Sequence, residues 1–203
     1  MKYLSILIFL LVMNVQPAAA DNVSDVEKIL KPAIDEVIST LRQKDIDKEA
    51  RNKRILEIVD PIFDFQIMAK YSLGAKHWSE LNSAKKKEYA DLFITRMQNS
   101  YLEKLDIYTD EEVKYDDAKE IKKRVHILTH FVSGSDVIDM LYKFYKSDAG
   151  WKVYDVEIEG VSIIQTYRTQ FGDVMKTGSI DDLIAKLKVP DQFSVPEPDK
   201  KNN

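Results

Sequence analysis

A serine beside a glycine, two histidines four residues apart and a row of carboxylates are the groups in this chain whose types could do chemistry. Gly160-Val161-Ser162 matches the first half of a G-x-S-x-G nucleophile elbow, but Ile164 stands where the second glycine would have to be. Ser162 suits another task. With Gln165 it makes an S-x-x-Q capping box, so a helix is expected to start there. His126 and His130 would share one face of a helix and could then hold a metal ion. Their neighbours alternate as in a strand, which sets the imidazoles roughly 13 Å apart at about 3.3 Å per residue, too far to share an ion. His77, the remaining histidine, lies beside Trp78, distant in sequence. Asp155, Glu157 and Glu159 alternate along a strand, and such a row ordinarily just faces water. Asp155 stands apart because Tyr154 and Val156 flank it and Arg168 follows on the next helix. The favoured reading is a structural ion pair, Asp155 with Arg168, tying strand to helix. The alternative gives Arg168 to a phosphate group, which guanidinium geometry suits.

These residues depend on one strand, turn and helix, residues 150–171. Trp151 to Glu159 is rich in aromatic and β-branched types that fit a half-buried pleated surface. Gly160 breaks the strand, and Ile163, Ile164, Tyr167, Phe171 and Val174 then recur at helical intervals. Two more strands are expected at Ile121–Val132 and Val137–Lys146, with a short one near Val113–Tyr115. Gly134-Ser135 and Asp148-Ala149-Gly150 read as hairpin turns, making an antiparallel meander. Ile138, Met140, Tyr142 and Phe144 fall on one side of the middle strand, Val137, Leu141 and Tyr145 on the other. With apolar residues on both faces, either helices cover both or one face borders an internal cavity.

Ahead of the sheet, helices are expected over 23–42, 47–59, 63–73 and 83–105. Pro32 should kink or restart the first. Asp60-Pro61 should end the second, and Gly74 is placed as the residue after the third. The stripe of the longest is Tyr89, Leu92, Phe93, Met97, Tyr101 and Leu105, with Tyr108 just beyond. Such stripes are usually plain core, but methionine with aromatics also suits a wall that adapts to flexible chains. Ser179 and Asp182 should cap a last helix through Leu187. The fold class is therefore α+β: a helical N-terminal half packed on a curved antiparallel meander and closed by C-terminal helices.

Met1–Ala20 reads as a signal peptide: Lys2, an apolar run from Tyr3 to Val15, and Ala18-Ala19-Ala20 for cleavage. Residues 21–189 are expected to be one domain, and 190–203 a disordered polar tail. The chain has no cysteine, so neither disulfides nor lipidation through a cysteine can serve it. A formal net charge of −4, with no dense basic patch, makes nucleic acid or an anionic bilayer a poor partner.

The run W-K-V-Y-D-V-x-I-E-G-V-S followed by Y-R-x-Q-F resembles the signature of the MlaC (toluene-tolerance) family of periplasmic phospholipid carriers. The likeness continues upstream through Phe63-Asp64-Phe65, Met68, Leu73-Gly74, Trp78, Leu81, Phe93, Tyr101, Leu105 and Tyr108; Thr166 stands where the pattern would have Asn. The resemblance implies a monomeric periplasmic carrier, not an enzyme, with bound phospholipid as cargo and no cofactor or metal. It implies passage of lipid between an outer-membrane MlaA-type lipoprotein complex and an inner-membrane ABC transporter with an MlaD-type subunit, maintaining outer-membrane lipid asymmetry. A hopanoid carrier, a periplasmic adaptor or chaperone, and an enzyme on an α+β scaffold are the other readings. Two long acyl chains in water cost on the order of 20 kcal/mol at about 0.8 kcal/mol per methylene, so a carrier has to enclose its tails. The expected lipid-binding residues are Phe93, Met97, Tyr101, Leu141, Val153 and Tyr167, with Arg168 as a possible headgroup contact.

Overall fold

The computed structural model describes residues 19–43, 45–103, 105, 112–190 and 192–193, the side chains from Asn22 onward. Most of the expected signal peptide, Tyr108 and the tail after residue 193 lie outside the described residues. Five helices come first: α1 (Ala19–Leu41), α2 (Lys48–Val59), α3 (Phe65–Leu73), α4 (Ala75–Glu80) and α5 (Ser83–Leu102). A sheet follows from β1 (Glu112–Tyr115), β2 (Lys119–Ile121), β3 (Arg124–Ser133), β4 (Asp136–Ser147), β5 (Gly150–Ile158) and β6 (Val161–Ser162). Helices α6 (Ile163–Thr177) and α7 (Ile180–Leu187) complete the order. No helix among the described residues is long and apolar enough to cross a membrane.

Local chemistry sets most boundaries. Asp47, Asp64 and Asn82 each accept from the third backbone N–H of the helix they precede, answering a donor that the first turn leaves free. Ser179 and Asp182 form a reciprocal capping box on α7. Gly74, at φ 84°, ends α3 and starts the short α4, a backbone state that side chains with a Cβ rarely adopt. Sequence patterning had assigned α4 to no element. Pro32 neither ends nor restarts α1, which runs on as one helix. Only one intrahelical bond is forfeited there, and a buried stripe from Val26 to Leu41 carries the helix through. The helix expected to reach Leu105 stops at Leu102.

All sheet pairings are antiparallel, in the order β1-β3-β4-β5-β6, with β2 also on β3. The meander of β3, β4 and β5 is the expected one. Glu159 and Gly160, at φ 49° and 75°, form the two-residue turn into β6, the left-handed pair that matches strand twist. A register shift at Lys143/Phe144 leaves Tyr154 as the extra residue of a bulge. The outer edge of β5 is met by residues 62–64: Val153 donates to the Ile62 carbonyl and Asp64 N–H to that of Val153, each at 2.9 Å.

One face of the sheet packs on the helices; Val125, Ile127, Phe144 and Val153 are fully buried there. The other face, where His126, His130, Asp139, Lys143 and Glu157 stand among Leu128, Leu141 and Tyr145, stays half open to solvent, so helices do not cover both faces. The chain beyond 190, expected to bury little, is anchored at Phe193, whose ring meets Phe171 edge-on at 4.9 Å between centroids.

Candidate functional site

Two regions between helices and sheet concern function: a polar seam where α6 begins, and a cavity. At the seam Asp155 is 6% exposed. Its carboxylate accepts from the Ser162 hydroxyl at 2.8 Å, the Ile164 N–H at 3.2 Å and the Lys143 ammonium at 3.2 Å. Ser162 in turn accepts from Gln165 N–H at 3.0 Å, so the expected capping box becomes a two-residue cap built from strand and helix. Lys143 also pairs with Glu157. Burial works against the Lys143 charge, but these two carboxylates outweigh it and hold the ammonium above its ordinary range.

The expected pair of Asp155 with Arg168 does not form. Ile163, Ile164 and Tyr167 take the inward side of α6, which leaves Arg168 on the exposed side. Its guanidinium rests against Gly74, where a Cβ would lie 3.4 Å from Nε. Strand register supplies the partner instead, because Lys143 stands directly across from Asp155. Ser162 is thereby engaged as a cap and makes no nucleophilic pair with a histidine.

The two strand histidines share no partner. His130 bonds Asp139 through Nδ1 at 2.6 Å and Asp116 through Nε2 at 3.2 Å, and the Asp139 bond raises its pKa. The two carboxylates flank opposite ring nitrogens and cannot converge on one ion. His126 sits across from Lys143; burial first, then that ammonium, lowers its pKa.

The cavity lies between the sheet and helices α1, α2, α3 and α5. Its volume is about 240 Å³. Among the described residues its wall contains no Asp, Glu, Lys, Arg or His; Gln98 and the phenols of Tyr101 and Tyr142 are the polar side chains among otherwise apolar ones. Charge thus has no place in its interior, whereas hydrocarbon does. Burial pushes the phenols of Tyr101 and Tyr142 well above the usual tyrosine range, so both keep their protons.

Of the six residues expected to hold cargo, Met97 and Tyr101 line this space. Phe93, Val153 and Tyr167 are fully buried elsewhere. Phe93 meets Tyr167 at 5.2 Å and Phe171 at 6.1 Å between ring centroids, in a packed aromatic cluster beside the cavity. Leu141 projects from the opposite face of the sheet, as strand alternation requires once Tyr142 and Met140 face inward. Sequence patterning missed the walls given by α1 (Leu30 to Leu41) and by Ile55, Leu56 and Val59 of α2. A signal existed: α2 is apolar only in its last two turns, so it needs an apolar neighbour at one end alone.

A family model described as MlaC protein matches residues 31–189. Among solved structures, the phospholipid-binding protein from Ralstonia solanacearum in complex with a phospholipid is similar in fold. Its TM-score is 0.71 at 24% sequence identity, over 80% of this chain and 94% of that one.

Proposed function

This chain belongs to the MlaC family, and from that premise we propose that it is a carrier of phospholipid, acting in the periplasm after removal of Met1–Ala20. The observation that carries the reading is the uncharged cavity between sheet and helices. Acyl tails occupy it, against Met97 and Tyr101 on α5, the α1 stripe and the inward residues of β4. The charged headgroup stays at the mouth, because no lining residue could neutralise it inside. Binding is reversible and needs no bond-making step: the protein lowers the cost of hydrocarbon in water and gives the lipid up to a better-matched acceptor. The finer assignment is that a monomer passes phospholipid between an MlaA-type outer-membrane lipoprotein complex and an MlaD-type subunit of an inner-membrane ABC transporter.

The neighbouring protein from Ralstonia solanacearum, described in complex with a phospholipid, supports the cargo class. Organic extraction of the purified protein followed by mass spectrometry tests it. Roughly stoichiometric glycerophospholipid is expected, and protein that folds but yields no lipid, even after incubation with vesicles, sinks the proposal. Cross-linking from exposed positions around the mouth to an MlaD-type subunit tests the transport step separately.

A further inference from the structure

We propose that Tyr142, assisted by Tyr101, reads the ester carbonyls of the cargo, so that the cavity favours lipids with ester-linked chains over those with ether-linked ones. The inference rests on the reading of this protein as a phospholipid carrier and adds a chemical preference to it. Tyr142 lines the cavity from β4 and is 8% exposed. Among the described residues its hydroxyl reaches only the Met140 Sδ, at 3.9 Å. A thioether is a weak acceptor. Tyr101 lines the cavity from α5, and its buried hydroxyl has no hydrogen-bond partner among the described residues.

Buried hydroxyls in folded proteins are nearly always satisfied, and leaving one without an acceptor is costly. The buried Tyr89 hydroxyl shows the satisfied case: it meets Ser72 Oγ at 2.7 Å, and Ser72 donates onward to the Ala69 carbonyl. Space-filling alone would be served equally well by phenylalanine at 101 and 142. Two phenols on different walls of a chamber whose other polar lining side chain, Gln98, donates to Asp60 at 3.1 Å therefore ask for an acceptor that the contents bring in. Within a glycerophospholipid, the acyl esters are the uncharged carbonyl acceptors, and they sit where the tails begin. Met140, two residues along β4, lines the same chamber and is half-buried, so Tyr142 stands about 7 Å along the strand from a lining residue that solvent reaches. Esters that follow a solvated headgroup into the chamber would pass close to such a residue.

The test is a competition. Lipid-stripped protein is mixed with vesicles holding equal amounts of dioleoyl phosphatidylglycerol and its dioleyl diether analogue, then re-isolated, and its bound lipid is quantified by mass spectrometry. One retained hydrogen bond is expected to favour the ester lipid by roughly two- to tenfold. Tyr142→Phe should bring the ratio close to one, and Tyr101→Phe should lower it part of the way. Both variants keep the ring and should fold as the parent does. A parent ratio of one, with water satisfying the hydroxyls, overturns the inference while leaving the carrier reading intact. A preference that survives in the double variant also overturns it. Uptake of neither lipid overturns the carrier reading itself.

Discussion

The aromatic cluster and the cavity are built from the same kinds of residue, lie side by side, and differ in density. Tyr89, Phe93, Tyr167, Phe171 and Phe193 meet ring to ring at 4.9 to 6.1 Å, and the Tyr89 hydroxyl is satisfied by Ser72. A few residues along the same helix α5, Met97 and Tyr101 face empty space and an unanswered hydroxyl. Where rings from α5, α6 and the C-terminal segment converge, the interior closes. Where α1, α2 and β4 present slender aliphatic and methionine side chains, it stays open. Stability resides in the first region and capacity in the second.

Truncation should separate them most sharply. Phe93→Ala should cost about 3–5 kcal/mol, as the loss of a fully packed ring does. Met140→Ala in the cavity wall should cost only about 1–2 kcal/mol, because few atoms there lose contacts. Urea unfolding of lipid-free protein measures both, and equal losses would break the distinction. Asp155 joins the two regions, since α6 sends Ile163 to the cavity and Tyr167 to the cluster. Asp155→Ala should cost about 2–3 kcal/mol by leaving the Ser162 hydroxyl and the Ile164 N–H at the start of α6 without their acceptor, Lys143 keeping Glu157. Arg168→Ala should stay within about 0.5 kcal/mol, and a large loss there would revive a direct role for that residue in the fold.

A filling substitution sharpens the contrast from the other side. Ile138→Trp should leave unfolding within about 1 kcal/mol of the parent and reduce co-purified lipid several-fold. Unchanged lipid would mean that the occupied space lies elsewhere. The smallest effects belong to the polar face of the sheet. His130, with its pKa raised by Asp139, adds stability that is complete at acidic pH and fades as pH rises through its folded value. His126, with its pKa lowered by burial, subtracts stability as pH falls below the ordinary histidine range. Between about pH 8 and pH 5, His130→Asn should therefore steepen the loss of stability on acidification, and His126→Asn should flatten it. Denaturant midpoints across that range decide, and the reverse order would overturn both assignments.

Fold and site were not equally legible. The S-x-x-Q box at Ser162, the Gly160 turn and the period-two strands placed the hand-over from β5 to α6 correctly, because caps and turns are local chemistry. The partner of Asp155 was not local. It depends on strand register, which brings Lys143 opposite, and sequence spacing pointed to Arg168 instead. Leu141 is expected at the cargo yet Tyr142 lines the cavity: β4 carries apolar residues on both faces, so its alternation alone does not say which face turns inward. Phe93, Val153 and Tyr167 show the deeper limit. A stripe of apolar residues specifies that a surface leaves water, yet whether the space beyond is filled depends on how side chains from distant elements interdigitate.

The seam of residues 62–64 along β5 also bears on the order in which the molecule assembles. Asp64 caps α3 but is itself held by the Val153 carbonyl and the Tyr145 hydroxyl, both made long after it on the ribosome. The meander can form early from neighbouring strands, whereas joining the helical half to its edge has to close a loop spanning much of the chain. The first helices synthesised thus wait for one of the last strands before they find their final place. A chain arranged this way remains unfinished, and still able to be threaded, until nearly all of it has emerged.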